Sequence, residues 1–210
     1  MRMGTGVAKQ FLDLGGKPVI LHTVEAFLKL SFHVEIILVL PSSYREYWKN
    51  YCIENRLAFS HILVSGGFSR FHSVKNALKY VPKGSIVAIH DGVRPFVSKE
   101  FLESLFELAQ EKDAIVPVTK PVDSIRMVSE DGESEFVDRN NYVMVQTPQL
   151  FLSDIILEAY KQAYSPLFTD DASVVESIGK RVFLTQGSPY NIKITTPEDL
   201  VLANAILNAF

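Results

Sequence analysis

The feature that most constrains the fold of this chain is a regular alternation between short apolar runs and longer segments with helical periodicity. Residues 34–40 read Val-Glu-Ile-Ile-Leu-Val-Leu and stop at Pro41, which is typical of a strand buried on both faces. Comparable runs occupy residues 61–64, 85–89, 114–118, 181–184 and 191–194. Because buried strands separated by helices form parallel sheets, the alternation predicts an α/β fold. We expect a Rossmann-like, mostly parallel twisted sheet with helices on both faces.

Amphipathic segments fill the spaces between these runs. Residues 18–30 begin with a proline in the first turn and place Ile20, Val24 and Phe27 at helical spacing. Further helices are predicted at residues 44–54, 69–80, 99–110, 154–164 and 170–178. The last helix begins at residues 196–199, Thr-Pro-Glu-Asp, where a capping hydroxyl, a proline and two acids together indicate a helix start.

One segment, residues 122–146, interrupts the alternation and is called the arm below. Two extended stretches, residues 124–128 and 135–137, flank the dipeptide Asp-Gly at 131–132, which is typical of a hairpin turn. A third extended piece follows at residues 142–145. Because no helix covers these apolar residues, we expect a protruding β-arm that binds a partner surface. We interpret the arm as a dimerisation element of a single domain that spans the chain.

Composition and charge restrict what the chain can bind. The sequence has 210 residues, of which 47% are apolar and 21% charged, and its formal net charge is −3. We therefore expect neither a nucleic-acid surface nor a membrane surface, and the longest apolar stretch is too short to span a bilayer. Cys52 is the single cysteine, which excludes an internal disulfide and a cysteine-rich zinc site. We interpret the chain as a reduced, cytoplasmic protein.

Two glycine-containing loops are candidates for phosphate or base binding, because ligands of open parallel sheets bind beyond the carboxyl ends of the strands. Small residues lie between Arg2 and Lys9, so that backbone N–H groups could approach a phosphate beside two cations. A solvated loop is the alternative. Residues 66–73 join a strand to a helix and could present backbone groups to a flat base, with Arg70 and Ser73 in the first helical turn. A plain turn with a capping serine is the alternative.

Two further segments place charged residues at or near strand ends. Asp91 follows a buried strand and precedes a glycine, a common position for a carboxylate that holds Mg²⁺ near phosphates, and Arg94 could bind another phosphate. The alternative is an aspartate turn with an exposed arginine, and His90 reads as a structural histidine. Lys193 lies inside the apolar run 191–194, where a lysine is costly unless it has a function or a route to water.

The motifs, taken in order, resemble those of the 2-C-methyl-D-erythritol 4-phosphate cytidylyltransferases over essentially the whole chain. They are Arg-Met-Gly at residues 2–4, Lys-Gln-Phe-Leu at 9–12, Gly-Gly at 66–67, His-Asp-Gly-Val-Arg-Pro at 90–95, Asp-Arg-Asn at 138–140, Gln-Thr-Pro-Gln at 146–149, Thr-Asp-Asp-Ala-Ser at 169–173 and Asn-Ile-Lys-Ile-Thr-Thr-Pro-Glu-Asp-Leu at 191–200. Each motif is modest alone, but their common order is highly specific. The resemblance implies transfer of CMP from CTP to methylerythritol phosphate, with release of pyrophosphate, in the non-mevalonate route to isoprenoids.

The same resemblance implies a role for each matching residue. The catalytic cations would be Arg2, Lys9 and Lys193. The nucleotide would be bound by Gly67, Phe68, Ser73 and Asp91, and Asp91 would also be a ligand of Mg²⁺ or another divalent cation. The sugar-alcohol phosphate would be surrounded by Arg94, Ser124, Arg139, Thr147, Thr169 and Lys193. Arg139 and Thr147 lie on or beside the arm, so the resemblance implies that they serve the partner's site in a homodimer. The implied chemistry is in-line attack by the substrate phosphate on the α-phosphorus, which needs no protein nucleophile.

The sequence departs from the family pattern at three places. Phe68 replaces an acid found in some relatives, and Tyr190 stands where an acid can occur. The family's opening strand and the glycine-rich turn before Arg2 have no counterpart, so we expect the native chain to extend upstream or another segment to fill that position. A ribitol 5-phosphate cytidylyltransferase is the nearest alternative, although residues 138–140 and 169–173 favour the methylerythritol enzyme. A nucleotide-binding protein made inactive by the missing loop is the second alternative.

Overall fold

The computed structural model describes residues 8–209, so Arg2 and the loop around it lie outside the described part. The strands are β1 (Asp13–Leu14), β2 (Lys17–Pro18), β3 (Ile36–Leu40), β4 (His61–Ser65), β5 (Ile86–Ile89), β6 (Ala114–Thr119), β7 (Ile125–Val128), β8 (Ser134–Val137), β9 (Met144–Val145), β10 (Gln149–Leu152) and β11 (Phe183–Gln186). The α-helices are α1 (Val19–Leu28), α2 (Arg45–Glu54), α3 (Arg70–Leu78), α4 (Lys99–Leu108), α5 (Ser153–Ala159), α6 (Asp171–Glu176) and α7 (Pro197–Ala209). Within this range no helix combines the length and the hydropathy that a bilayer span requires.

The central sheet has the strand order β11-β6-β10-β5, and β9 pairs with the last residues of β6. β11 runs parallel to β6, while β10 runs antiparallel to both β6 and β5. The strands β5, β6 and β11 therefore share one direction. β3 and β4 form a second sheet, a parallel pair. The prediction of an α/β fold with a mostly parallel sheet is confirmed.

Helices cover both faces of the central sheet, because successive residues of a strand point to opposite sides. Val87 on β5 and Phe151 on β10 pack against the helices α3, α5 and α6. Their chain neighbours Ala88 and Leu150 point the other way and pack with Leu105 of α4. Phe151 and Leu150 are fully buried, and burial of such a side chain stabilises the fold by about 1.5–3 kcal/mol. This packed core fixes the positions of the strand ends, and the polar residues of the candidate site lie at those ends.

Local hydrogen bonds determine where the two helices beside the candidate site begin. α3 begins after Ser69, whose side-chain oxygen accepts a hydrogen bond from the His72 N–H. α6 begins after Asp170, which forms a capping box with Ser173. Each cap fixes the backbone at residues that face the pocket described below.

The structure corrects the sequence prediction at three places. Residues 191–194 were predicted as a strand but have no strand pairing; the Ile194 N–H donates instead to the Val93 carbonyl at 2.9 Å. β10 lies in the middle of the central sheet, although no apolar run predicted it. β1 and β2 pair through a turn in which Gly15 and Gly16 have φ values of 60° and 86°, so the predicted helix at 18–30 begins only after β2.

The arm contains the predicted hairpin. β7 and β8 pair antiparallel, from Ile125 opposite Val137 to Val128 opposite Ser134. Phe136 is exposed on this hairpin, with 75% of its surface accessible. β9, in contrast, pairs with β6, so the end of the arm belongs to the central sheet. Protrusion of the arm and its use in dimerisation remain predictions.

Candidate active site

A pocket of about 260 Å³ lies where β5 ends and β10 begins. Its lining residues are Arg70, Asp91, Arg94, Val145, Gln146, Thr147, Gln149, Thr169, Asp170 and Lys193. Asp91, Arg94, Thr147, Thr169 and Lys193 were predicted from sequence, and the fold brings all five of them to this pocket. The pocket therefore combines segments that are far apart along the chain.

Three cations surround the Asp91 carboxylate. Lys193 Nζ lies 2.9 Å and Arg94 Nε 3.3 Å from Oδ2, whereas Arg70 Nε lies 3.7 Å from Oδ1. Burial alone would raise the pKa of the Asp91 carboxyl, but the hydrogen bond and charge of Lys193, followed by the two arginines, outweigh burial and lower it. Asp91 is therefore charged, and Lys193 and Arg94 beside it can donate hydrogen bonds to a phosphate ligand.

Lys193 reaches this cluster from an irregular segment, not from a strand. Its side chain is 44% exposed, so the ammonium group has the route to water that its apolar neighbours do not provide. The backbone of the preceding segment is held by Asn191, a fully buried residue whose Nδ2 donates to the Thr147 carbonyl at 2.7 Å. Arg94 Nη1 donates to the Asn191 carbonyl, also at 2.7 Å. These bonds position Lys193 without a strand.

Gln146 connects the same segment to the start of β10. Its Oε1 accepts from the Ser188 N–H at 3.1 Å, and its Nε2 donates to the Ser188 carbonyl at 2.8 Å. Gly187 lies so close that an added Cβ would meet Gln146 Oε1 at 2.4 Å. A side chain at position 187 would therefore push the amide of Gln146 away from Ser188.

Thr147 and His90 hold the backbone of Asp91. The Asp91 N–H donates to Thr147 Oγ1 at 3.0 Å, which leaves the hydroxyl hydrogen to donate to His90 Nδ1, also at 3.0 Å. His90 Nε2 then carries the ring proton and donates to the Arg94 carbonyl at 3.0 Å. Burial lowers the pKa of His90 to about 4, so the ring is neutral and structural, as the sequence indicated. Thr147 thus contacts the site of its own chain, in contrast to the expectation that it would serve a partner's site.

Sequence reasoning missed three buried polar residues beside the pocket, namely Gln149, Tyr160 and Asp171. Gln149 Nε2 donates to Asp170 Oδ2 at 2.8 Å, and its Oε1 accepts from the Ala172 N–H at 2.9 Å. This amide joins the start of α6 to β10. The Thr-Asp-Asp motif contained Asp171, but no local pattern could indicate its partners, which come from other elements.

The turn at residues 66–68, predicted to bind the nucleotide, is held by Ser73. Its Oγ accepts from the Gly67 N–H at 3.0 Å and donates to the Ser69 carbonyl at 2.9 Å. An added Cβ on Gly67 would meet the His72 Cβ at 2.4 Å, so this close approach to α3 requires glycine. Phe68 extends from the turn with 96% of its surface exposed.

The remaining predicted residues lie outside the pocket lining. Lys9 opens the single-turn 3-10 helix Lys9–Phe11, which Phe11 anchors by packing against Trp48. Arg139 Nη1 donates to the Val122 carbonyl within the arm, and Ser124 is exposed there. Neither residue is among those that line the pocket of this chain.

The open α/β sheet, with arginine and lysine side chains beyond its strand ends, is an arrangement in which nucleotide-binding proteins hold phosphate groups. The chain belongs to the 2-C-methyl-D-erythritol 4-phosphate cytidylyltransferase family, whose profile matches residues 1–209. The resemblance predicted from the motifs is thereby confirmed.

Curated relatives and solved structures agree with this assignment. Enzymes of that name from Phocaeicola vulgatus and Bacteroides thetaiotaomicron are 49% and 47% identical over 207 residues, which is 99% of this chain and 94% of each relative. The crystal structure of 4-diphosphocytidyl-2C-methyl-D-erythritol synthase from Anaerococcus prevotii superposes with a TM-score of 0.84 at 29% identity, covering 98% of this chain and 92% of that chain. The cytidylyltransferase from Thermus thermophilus gives a TM-score of 0.76 at 30% identity, with 95% and 94% covered.

Proposed function

We propose that this chain transfers the CMP group of CTP to 2-C-methyl-D-erythritol 4-phosphate and releases pyrophosphate, in the synthesis of isoprenoid precursors. The observation that carries this proposal is the group of three cations around Asp91 in a pocket that also contains Thr147 and Thr169. Family membership supplies the identity of the two substrates. Location in the cytoplasm stays a prediction from the single cysteine.

The reaction is in-line displacement at the α-phosphorus. An oxygen of the substrate phosphate forms the new P–O bond, the bond from the α-phosphorus to the bridging oxygen breaks, and pyrophosphate carries the electron pair away. Lys193 and Arg94 neutralise the incoming phosphate, and Thr169 donates its hydroxyl hydrogen to it. Because the attacking group is already an anion, the protein's contribution is positioning and charge stabilisation.

The nucleotide occupies the side of the pocket next to the 66–68 turn. The backbone of Gly67 and Phe68 reads the cytosine, and Ser73 holds that backbone in place through its bond to the Gly67 N–H. Lys9 binds the CTP phosphates and stabilises charge at the α-phosphorus. Arg2, which lies outside the described residues, shares that role.

Asp91 is the protein ligand for Mg²⁺. No group of three histidine, cysteine or acidic residues suited to a metal occurs in the part of the chain that the structure describes. Mg²⁺ beside nucleotides is commonly bound by one or two carboxylates together with phosphates and water, so a single carboxylate fits. Bound there, the ion would withdraw charge from the nucleotide phosphates.

The arm makes the active unit a homodimer. It carries large exposed apolar side chains, at Val122, Met127, Val128 and Phe136, which a second copy would cover. Ser124 and Arg139 lie on the same segment and outside their own pocket, so they complete the sugar-phosphate site of the partner subunit. Thr147, in contrast, acts in its own chain, where it bonds to Asp91.

Pyrophosphate release from CTP and Mg²⁺ tests the proposal. We expect release with methylerythritol phosphate and much slower release with ribitol 5-phosphate at the same concentration. A preference for ribitol phosphate would assign the chain to the ribitol alternative. If neither substrate led to pyrophosphate release although CTP binds, the chain would be an inactive nucleotide-binding protein.

A further inference from the structure

Arg70 differs from the other two cations at Asp91 in how it is anchored. Its Nη2 lies 2.6 Å from Oδ2 of Asp171, a carboxylate with no solvent exposure. Among residues 8–209 neither Arg94 nor Lys193 has a second carboxylate partner of this kind. An arginine guanidinium stays protonated in proteins. Arg70 is therefore a permanently charged, fixed cation.

Tyr160 extends this anchor into the core. Its hydroxyl donates to the other oxygen of Asp171, Oδ1, at 2.6 Å. The Tyr160 side chain is 3% exposed and stacks on Phe71, with ring centroids 4.6 Å apart. Both Asp171 oxygens thus have a hydrogen-bond partner, which offsets the desolvation cost of the buried carboxylate. The fixed carboxylate in turn anchors the Arg70 guanidinium.

The two oxygens of the Asp91 carboxylate have different cations as their nearest neighbours. Lys193 and Arg94 both approach Oδ2, whereas Arg70 approaches Oδ1 at 3.7 Å, too far for a hydrogen bond. No hydrogen bond to Oδ1 from another described residue occurs. The shortest contact of Arg70 with Asp91 is therefore to Oδ1, whereas the shortest contacts of Lys193 and Arg94 are to Oδ2.

We propose that Arg70 is a positioning residue, anchored by Asp171 and Tyr160, that fixes the Asp91 carboxylate so that Oδ1 faces the nucleotide. Arg70 is also the first residue of α3, directly after the 66–69 segment, and Asp171 is the first residue of α6, two residues after Thr169. Their ion pair therefore holds the nucleotide side and the sugar-phosphate side of the pocket at a fixed separation. The inference rests on the proposed roles of Asp91 and of the two sides.

Steady-state kinetics with both substrates tests the inference. For Arg70→Gln we expect kcat to fall about 10- to 100-fold, with a small change in the KM for methylerythritol phosphate, because the carboxylate is misplaced while the phosphate-binding residues stay. Arg70→Lys restores part of kcat. The matched control is Lys75→Gln, which removes another cation from the same helix. Lys75 donates to the Gln162 carbonyl, and we expect its variant to keep the wild-type kcat.

A second variant, Tyr160→Phe, tests the same inference without removing a charge, so that a folding defect of Arg70→Gln does not decide the outcome. It removes one hydrogen bond from Asp171 and leaves the charges intact, and we expect kcat to fall about two- to tenfold. Tyr164→Phe, on the neighbouring exposed ring that contacts Phe71, is its control. Because Tyr160 acts through Arg70, the double variant Arg70→Gln/Tyr160→Phe should be no slower than Arg70→Gln. The pair Arg70→Gln/Asp171→Asn removes the buried unpaired charge and should remain as slow as Arg70→Gln.

Three results would overturn the inference. One is a folded Arg70→Gln protein, or folded Arg70→Gln/Asp171→Asn protein, with wild-type kcat and only a lower Tm. Another is a rise in KM for the sugar phosphate at unchanged kcat, which would make Arg70 a direct ligand. The third is strict additivity of the Arg70 and Tyr160 effects. Wild-type turnover measured in parallel tests the proposed function separately, so failure of one is distinguishable from failure of the other.

Discussion

The ammonium group of Lys193 lies 2.9 Å from Oδ2 of Asp91 and forms an ion pair that joins an irregular segment to the end of β5. The two side chains differ in exposure, since that of Lys193 is 44% exposed and that of Asp91 is 13% exposed. An exposed ammonium on a flexible stem can turn from the carboxylate to an arriving phosphate. Asp91 keeps the two arginines as partners when this happens.

Replacement of Lys193 by alanine should therefore impair chemistry more than folding. We expect kcat to fall about 100- to 1,000-fold, the usual effect of removing one donor to a transition-state anion. The Tm should change little, because Asp91 retains its arginine partners. Lys180→Ala, at an exposed lysine, is the control for kcat and Tm. Near-normal turnover of the Lys193 variant would exclude this lysine from the reaction.

Lys9→Ala should also lower turnover by orders of magnitude while the fold survives. Lys9 is partly exposed at the start of its 3-10 turn, and the packing of that turn depends on Phe11, not on the lysine. Single-turnover measurement at saturating CTP separates chemistry from binding. A variant with wild-type single-turnover rate would remove Lys9 from the catalytic residues.

Gly67→Ala should weaken CTP binding selectively. The added Cβ would meet His72 Cβ at 2.4 Å and the His72 carbonyl carbon at 2.9 Å, so the turn or α3 must move. We expect the KM for CTP to rise about tenfold or more, because such a shift displaces the backbone that reads the base. The KM for methylerythritol phosphate is the internal control and should stay the same. An unchanged KM for CTP would place the base elsewhere.

Stability should depend on pH through His61. Trp48 Nε1 donates to His61 Nε2 at 2.9 Å, which requires this nitrogen to be unprotonated, and burial lowers the pKa of the ring. The folded state then binds fewer protons than the unfolded state. The contribution to stability is therefore complete above the unfolded pKa of about 6.5 and is lost as the pH falls below it.

Denaturant unfolding, followed through the fluorescence of Trp48, measures this effect because the chain has one tryptophan. From about pH 7 to about pH 5 the wild type should lose more unfolding free energy than His61→Gln, whose amide oxygen accepts the indole hydrogen bond without titrating. His33→Gln, at an exposed histidine, should behave as wild type. Equal losses in wild type and His61→Gln would contradict the role of His61.

Disruption of the arm should dissociate the proposed homodimer. Phe136→Lys places a charge on a residue that is 75% exposed in one chain and would be covered by a second copy. Because burial of a phenylalanine stabilises by about 1.5–3 kcal/mol, we expect the dimer dissociation constant to rise about tenfold or more. Val201→Lys, at a similarly exposed residue of α7, is the control in sedimentation experiments. Equal association of both variants would remove the arm from the interface.

The sequence predicted the elements whose signals are local. Continuous β-branched runs predicted β3 and β4, and capping patterns predicted the starts of α3 and α7. β10 escaped prediction because its sequence, Gln-Leu-Phe-Leu, is short and begins with a polar residue. Gln149 is fully buried because its amide bonds to Asp170 and Ala172, and such tertiary contacts leave no local pattern.

In the candidate site, too, residues with a local sequence signal were predicted, whereas contacts that form only in the folded chain were not. Strand-end position predicted Asp91, and the apolar surroundings of a lysine drew attention to Lys193. The strand predicted around Lys193 was wrong, because hydrogen bonds from Asn191 and Ile194 to other loops replace strand pairing. The ion pair of Arg70 with Asp171 joins residues 101 positions apart, so only the folded chain reveals it.

Isotopic labelling of the reacting oxygen tests the central claim, that an oxygen of the substrate phosphate forms the new bond to the α-phosphorus of the CMP group. The non-bridging oxygens of methylerythritol phosphate would carry heavy oxygen, and the products would be analysed by phosphorus NMR and mass spectrometry. We predict that the label stays in the CDP-linked alcohol, including its bridging oxygen, and that pyrophosphate contains none. Label in pyrophosphate, or formation of free CMP in place of the CDP-linked alcohol, would contradict this account.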